Sequence, residues 1–151
     1  MRVCILGAGL TGLTLAKALV NKNIYVDVLF NKKAEKLNLT RTLGISKSNV
    51  EFFNSNIIDI NKIIWKLKNI EIFTENLKNE KLIKFKSNEE YLFSIIRNYE
   101  LYKLIINSLN TTKYFRKIYS VSKQTKKNYN LIINTDYNNL ITKKLFYKKV
   151  I

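Results

Sequence analysis

Hydrophobic positions along the chain change period several times, and each change marks an element. Val3-Cys4-Ile5-Leu6 is apolar without a polar interruption, the pattern of a strand buried on both faces. Leu13, Ala16, Leu19 and Val20 then recur at helical spacing, which predicts a helix that begins near Leu10. Tyr25-Val26-Asp27-Val28-Leu29-Phe30 returns to a strand pattern, and Leu131-Ile132-Ile133-Asn134-Thr135 does so again far downstream. Strand, helix and strand in succession imply a parallel pair with a right-handed crossover. The expectation is an α/β core with parallel strands near residues 2–6, 25–30 and 131–135.

Between these segments the pattern is more broken. Residues 31–40 are polar and lysine-rich, which predicts a loop. Ser46 is placed to cap a helix running through Val50 and Phe53 to about Asn54. Residues 57–65 show apolar positions at helical spacing and predict a short helix, with Trp65 in core or rim packing. Residues 70–74 alternate like a strand, and residues 82–85 supply a partner across a turn rich in Asn and Lys. Residues 93–98 read as a short strand running into a helix whose stripe is Leu101, Leu104, Ile105 and Leu109. A short strand within 114–121 and a turn over 124–128 complete the pattern.

The turn between the first strand and first helix carries the clearest chemistry. Gly7, Gly9 and Gly12 fall in G-x-G-x-x-G spacing, in the strand–turn–helix context that this motif requires. Gly7 allows the tight turn, Gly9 lets a pyrophosphate approach the backbone, and Gly12 lets helix and strand pack closely. The N–H groups and dipole at the helix start favour an anion. Three of the four glycines of the chain lie in this turn. A purely structural strand–turn–helix is the alternative. In dinucleotide folds an acid about 20 residues past the glycines holds the ribose hydroxyls. Here Phe30 stands 18 residues after Gly12, Asn31 is the nearest polar side chain, and Asp27 comes too early. Arg41, ahead of Ser46, is a candidate phosphate clamp because guanidinium pairs with phosphate in a bidentate way; a surface arginine is the alternative.

Composition narrows the chemistry. The chain has 151 residues, 46% of them apolar, the size of one domain able to bury a core. Cys4 is the single cysteine and histidine is absent. That excludes an internal disulfide, serine–histidine and cysteine–histidine nucleophile pairs, and zinc sites built on histidine or several thiolates. A reducing, cytoplasmic compartment is the expectation. The chain opens on strand and glycine turn rather than on a signal peptide, and no apolar run is long enough to span a bilayer. The formal charge is +16. Residues 111–151 hold ten Lys or Arg against one acid, Asp136. Such a balance suits nucleic acid or anionic lipid, but the lysines are scattered among asparagine and isoleucine, as an AT-rich coding sequence produces. No specific nucleic-acid partner is expected.

The turn Gly7-Ala8-Gly9-Leu10-Thr11-Gly12, the second strand, and the stretch Arg41-Thr42-Leu43-Gly44-Ile45-Ser46 together resemble the FAD-dependent aromatic-ring hydroxylases. The likeness is greatest to those of ubiquinone biosynthesis. That family has an arginine, a short apolar stretch and a serine heading a helix at this place, and the resemblance assigns Arg41 to the pyrophosphate region of FAD. It also places Arg97 at a strand–helix junction where the family has a flavin-contacting Glu or Gln. Asp136 matches a nucleotide-contacting aspartate at the end of a buried strand; a turn residue or helix cap is its alternative reading. The family pattern then has glycine, serine and arginine where this chain has Tyr137, Leu140 and Lys143.

The resemblance implies a Rossmann-like, FAD/NAD(P)-binding three-layer α/β fold with a parallel sheet. It also implies a remnant of the β substrate layer, with residues 66–96 inserted in a single domain spanning 1–151. It covers only the N-terminal part of the family's length, so the chain reads as a truncated hydroxylase. Implied ligands are non-covalent FAD, NAD(P)H as a transient reductant, and an aromatic small molecule. The cofactor set is Gly7, Gly9, Gly12, Asn31, Arg41, Arg97 and Asp136, with Gly7, Gly9, Arg41 and Asp136 expected to line one cleft; no catalytic residue is named. The family location allows peripheral contact with the inner membrane. Other readings are a different flavoprotein of the amine-oxidase kind and a non-catalytic basic module for RNA or an acidic membrane. The chain alone is not expected to hydroxylate a substrate.

Overall fold

The computed structural model describes residues 1–31, 39–73, 81–86, 91, 93–120 and 128–136. Two compact units form, one from residues 1–37 and 102–151, the other from residues 38–101. In the first, β1 (Arg2–Leu6), α1 (Leu10–Val20) and β2 (Tyr25–Leu29) follow one another as the hydrophobic pattern predicts. The second supplies β3 (Thr42–Ser46), α2 (Lys47–Asn56), a 3-10 turn at Asn61–Ile63, β4 (Ile64–Leu67), β5 (Asn69–Phe73), β6 (Lys81–Lys86) and β7 (Phe93–Arg97). Then come α3 (Asn98–Asn110), which starts in the second unit and ends in the first, β8 (Phe115–Ile118) and β9 (Leu131–Asn134).

The first unit is a four-stranded parallel sheet in the order β8-β2-β1-β9. The apolar run of β1 has the central place it is suited to, with Val3, Cys4 and Ile5 fully buried. α1 presents Leu13, Ala16 and Val20 to the core. The order reverses at β1, since β2 lies on one side of it and β9 on the other. The crevice outside the carboxyl ends of β1 and β9 is therefore the switch point at which open α/β sheets bind ligands.

A buried charge holds the sheet together laterally. Asp27, 2% exposed, lies in register with Cys4 of β1 and Arg116 of β8. Arg116 donates from Nε to Oδ1 (2.9 Å) and from Nη2 to Oδ2 (2.6 Å), and the Tyr129 hydroxyl donates to Oδ2 at 2.7 Å. Asn130, next to Tyr129, exchanges bonds with Arg2: its N–H reaches the Arg2 carbonyl (2.9 Å) and its Oδ1 accepts from the Arg2 N–H (2.8 Å). Burial, followed by the bond to Asp27, pushes the Tyr129 hydroxyl up from 10.0 to about 12.

The second unit contains an antiparallel sheet β3-β7-β4 and a hairpin β5–β6. Ser46 caps α2 by accepting from the Asn49 N–H at 3.3 Å, as its position in the sequence predicts. The expected helix over 57–65 does not form. The chain makes a 3-10 turn and enters β4, because Ile64, Trp65 and Leu67 gain backbone pairing with β7 that a short isolated helix lacks. Trp65 is correspondingly exposed, with the Arg97 guanidinium 5.0 Å from its ring. Residues 42–46 form a strand that the hydrophobic pattern does not predict. The hairpin has one polar face, where Glu71 pairs with Lys81 and Lys84. On its other face Ile72, Ile83 and Phe85 are exposed. Most of the loop over 31–40, most of the turn over 124–128, and Tyr137, Leu140 and Lys143 lie outside the described residues. Among the described residues no helix is long and apolar enough to cross a membrane, and no group of acidic or thiol side chains could hold a metal ion.

Arg116→Ala should cost about 2 kcal/mol in denaturant unfolding, the scale of charge-assisted bonds to a buried carboxylate. The tyrosine sets a separate alkaline signature. Unfolded Tyr129 loses its proton near pH 10.0 and folded Tyr129 near 12. Its contribution is therefore complete below pH 10 and disappears as pH rises towards 12. Tyr129→Phe should flatten the fall in stability across that window, measured by urea titrations at successive pH values.

Candidate functional site

The glycine turn is built against the end of β9. Gly7 has φ of +113°, which an L side chain rarely adopts. A Cβ there would also stand 2.8 Å from Thr135 Oγ1 and 3.0 Å from Asp136 Cβ. A Cβ on Gly12 would collide with the Gly7 carbonyl oxygen and approach Thr135 Oγ1 to 2.8 Å. These two glycines are thus demanded by the protein's own packing. Thr135 is the part that sequence reasoning missed. Its N–H donates to the Leu6 carbonyl at 2.9 Å, and its hydroxyl proton is shared between the carbonyls of Leu6 (3.1 Å) and Gly7 (3.3 Å). A threonine after an apolar strand carries no spacing signal that would have identified it.

Gly9 is different. It is the N-cap of α1 with φ of −74° and ψ of 176°, an extended conformation open to any residue. It is exposed, and a Cβ there would meet nothing within 4 Å. Neither backbone geometry nor neighbouring atoms require a glycine. The first turn of α1 carries no acidic side chain, so its N–H groups and dipole face an anion unopposed.

The structure brings Gly7, Gly9, Gly12 and Asp136 together at the carboxyl ends of β1 and β9. Asp136 is half-buried beside Gly7, and its N–H donates to Asn134 Oδ1 at 3.1 Å. Asn31 is exposed just beyond the carboxyl end of β2. Phe30 is half-buried before it, its N–H bonded to the Ile118 carbonyl at 2.8 Å and the Lys117 ammonium 5.5 Å from its ring centroid. Asp27 faces Arg116 and Tyr129, which explains a carboxylate in mid-strand without a ligand.

Arg41 and Arg97 are neighbours in the second unit. Thr42 pairs with Arg97, and the Asn98 N–H donates to the Arg41 carbonyl at 2.9 Å. Arg41 is exposed, and its guanidinium has no ion-pair partner among the described residues. Arg97 is engaged by Glu100 at 3.6 Å and by the Trp65 ring. Gly44 in the same stretch is a packing glycine, since a Cβ there would run into the Phe93 ring.

The fold is found in solved proteins. The chain has the fold of part of a FAD-dependent monooxygenase. A probable FAD-dependent monooxygenase, PqsL of Pseudomonas aeruginosa, superposes on 100% of the chain with a TM-score of 0.71 at 13% identity, using 46% of its own length. The p-nitrophenol 4-monooxygenase PnpA of Pseudomonas putida covers 78% of the chain with a TM-score of 0.63 at 15% identity and 31% of its own length. The flavin-dependent monooxygenase PieE, solved with FAD and substrate, covers 79% with a TM-score of 0.60 at 14% identity and 24% of its own length. The chain therefore spans less than half of these enzymes. No protein-family model matches it, and no curated protein matches its sequence.

The contrast between the glycines is measurable. Gly7→Ala and Gly12→Ala should each lose about 1–3 kcal/mol of stability, the usual cost of forcing an atom into a packed site. Gly9→Ala should stay within about 0.5 kcal/mol of the parent. Denaturant midpoints of the three variants decide it.

Proposed function

We propose that this chain is the FAD-binding portion of a flavoprotein monooxygenase that hydroxylates an aromatic ring, of the ubiquinone-biosynthesis type. The observation that carries the reading is Gly9: a glycine at the helix start whose absent side chain leaves open space rather than relieving a clash. Space of that kind at a switch point suits the pyrophosphate of a dinucleotide. The fold shared with FAD-dependent monooxygenases supports FAD as the dinucleotide. The ubiquinone type rests on the stretch from Arg41 to Ser46, now a strand running into a capped helix.

Bound FAD would supply the oxygen chemistry, with NAD(P)H as its reductant; the chain's own residues bind and orient it. The N–H groups at the start of α1 would hold the pyrophosphate, and Gly9 would let it approach. Thr135 keeps the turn in shape through the carbonyls of Leu6 and Gly7. Asp136, beside Gly7, is suited to accept hydroxyls of the ligand. Arg41 is assigned to phosphate and Arg97 to the flavin side. Asn31 offers a neutral hydrogen-bonding group past β2. The aromatic substrate belongs to the whole enzyme. The hairpin face of Ile72, Ile83 and Phe85 suits strands of a substrate layer that continues in a longer chain.

FAD added to the purified chain should show saturable quenching of flavin fluorescence. Gly9→Val should weaken binding about tenfold or more, since a branched side chain would occupy the ligand's space, while lowering stability by only about 1 kcal/mol, the cost of a poor N-cap residue. No quenching at any FAD concentration would reject the reading. NAD(P)H oxidation stimulated by phenols should be absent from the chain by itself, because a water-excluding pocket beside the reactive ring needs more than these residues.

A further inference from the structure

The amino end of the parallel sheet, remote from the glycine turn, carries a row of side chains that the dinucleotide reading does not use. Arg2 of β1 is in register with Tyr25 of β2. The Val26 N–H bond to the Tyr114 carbonyl (2.8 Å) sets Tyr114 beside them, just ahead of β8. Cations and rings interleave along this row. The Arg2 guanidinium lies 5.9 Å from the Tyr25 ring centroid, the Tyr25 and Tyr114 rings are 4.9 Å apart at 55°, and the Lys113 ammonium lies 5.4 Å from the Tyr114 ring. Tyr25 and Lys113 are exposed, and Arg116 keeps its side chain 57% exposed while it binds Asp27. The acids described in this unit are Asp27 and Asp136. Asp27 is buried against Arg116, Tyr129 and Arg2, and Asp136 follows the carboxyl end of β9. Among the described residues of the unit, the row thus offers cations and aromatic rings with no accessible carboxylate beside them.

We propose that this row binds single-stranded nucleic acid without reading its sequence. Arg2, Lys113 and Arg116 contact phosphates, and an unstacked base lies on the exposed Tyr25 ring or on the flat Arg2 guanidinium. Positive charge for the backbone together with rings for the bases is the combination that such binding uses. Each ring holds its cation at the surface through a contact that is weak at an exposed site, so the cation is readily given up to a phosphate. The net charge of +16 draws any polyanion to the chain, but an anionic membrane or an acidic protein has no base to place on the tyrosine. A duplex keeps its base faces in the stack and meets only the cations. The site is separate from the dinucleotide cradle and does not depend on it: β1 is five residues long, which puts the row about 16 Å from the glycine turn.

The test is fluorescence anisotropy of labelled oligo(dT) and oligo(U) of about fifteen nucleotides, titrated with the purified chain. Affinity should fall with salt along a log–log slope of about −2, the value for three phosphate contacts on a single strand. Lys113→Gln should weaken binding and reduce that slope by about 0.7. Tyr25→Leu should weaken binding about tenfold with the slope unchanged, as the loss of one stacked base does. Lys62→Gln, an equally exposed lysine on the 3-10 turn of the second unit, should change neither. A duplex of the same length should bind more weakly than the single strand, and saturating FAD should leave the oligonucleotide bound. If Tyr25→Leu fails to fold, the comparison of Lys113→Gln with Lys62→Gln and of single strand with duplex still decides. Equal effects of the two lysine substitutions, or full affinity in folded Tyr25→Leu, would reduce the binding to diffuse attraction by net charge and overturn the site. A preference for the duplex, or binding to phosphatidylglycerol vesicles and not to the oligonucleotides, would overturn the choice of partner. Displacement of the oligonucleotide by FAD would overturn its placement at this end of the sheet.

Discussion

The first unit is organised by the approach of α1 to the turn that precedes it. Gly12 lies so near the Gly7 carbonyl that no side chain fits between them, and Thr135 closes the space from the β9 side. One hydroxyl therefore ties the end of β9 to the end of β1 and to the turn that leads into α1. This is a constraint of shape before it is one of function. The positive φ at Gly7 costs little because glycine lacks the Cβ that forbids it. Once the turn is held, α1 is capped by Gly9, where a Cβ would meet nothing within 4 Å. Packing thus accounts for two of the three glycines, while the third stands beside open space.

The amino-terminal side of the same sheet is closed by different means. Asp27, Arg116 and Tyr129 connect β2, β8 and the segment entering β9, and Asn130 and Arg2 connect that segment to β1. The carboxylate is buried, so its two charge-assisted bonds and the tyrosine hydroxyl are required to offset its desolvation. The cost is moderated because the arginine side chain is 57% exposed and keeps much of its hydration. The cluster fixes strand register at one end with charge while the glycine turn fixes it at the other with shape.

How much of this was legible depended on whether the signal was local. β1, α1 and β2 were readable because each follows from the period of its own residues, and the hairpin β5–β6 and the Ser46 cap for the same reason. Residues 57–65 misled because apolar residues at helical spacing occur equally in a turn followed by a strand. What decided between them was pairing with β7, some thirty residues away. Trp65 left the core for the same reason. Asp27 was recognised as misplaced for a ribose contact, but its partners come from 89 and 102 residues downstream, beyond any spacing rule. Thr135 was invisible because its role consists of two carbonyls more than a hundred residues earlier. Phe30 was legible as the absence of an acid, but its contact with Lys117 was not, since the two become neighbours only through the β2–β8 register.

The same register determines the electrostatic character of the ligand edge. Of the described acids in the unit, Asp27 is neutralised within the sheet, so the carboxyl edge is left with Asp136 on the β9 side and Lys117 on the β8 side, separated by the uncharged glycine turn. The α1 dipole lies between them, and no acid in its first turn opposes it. A ligand across this edge meets a negative group, then N–H donors, then a positive group. A carboxylate in place of Phe30 would cancel Lys117 across a few ångströms and remove the polarity of the edge. Phe30 preserves it, because an aromatic ring holds an ammonium nearby without neutralising it.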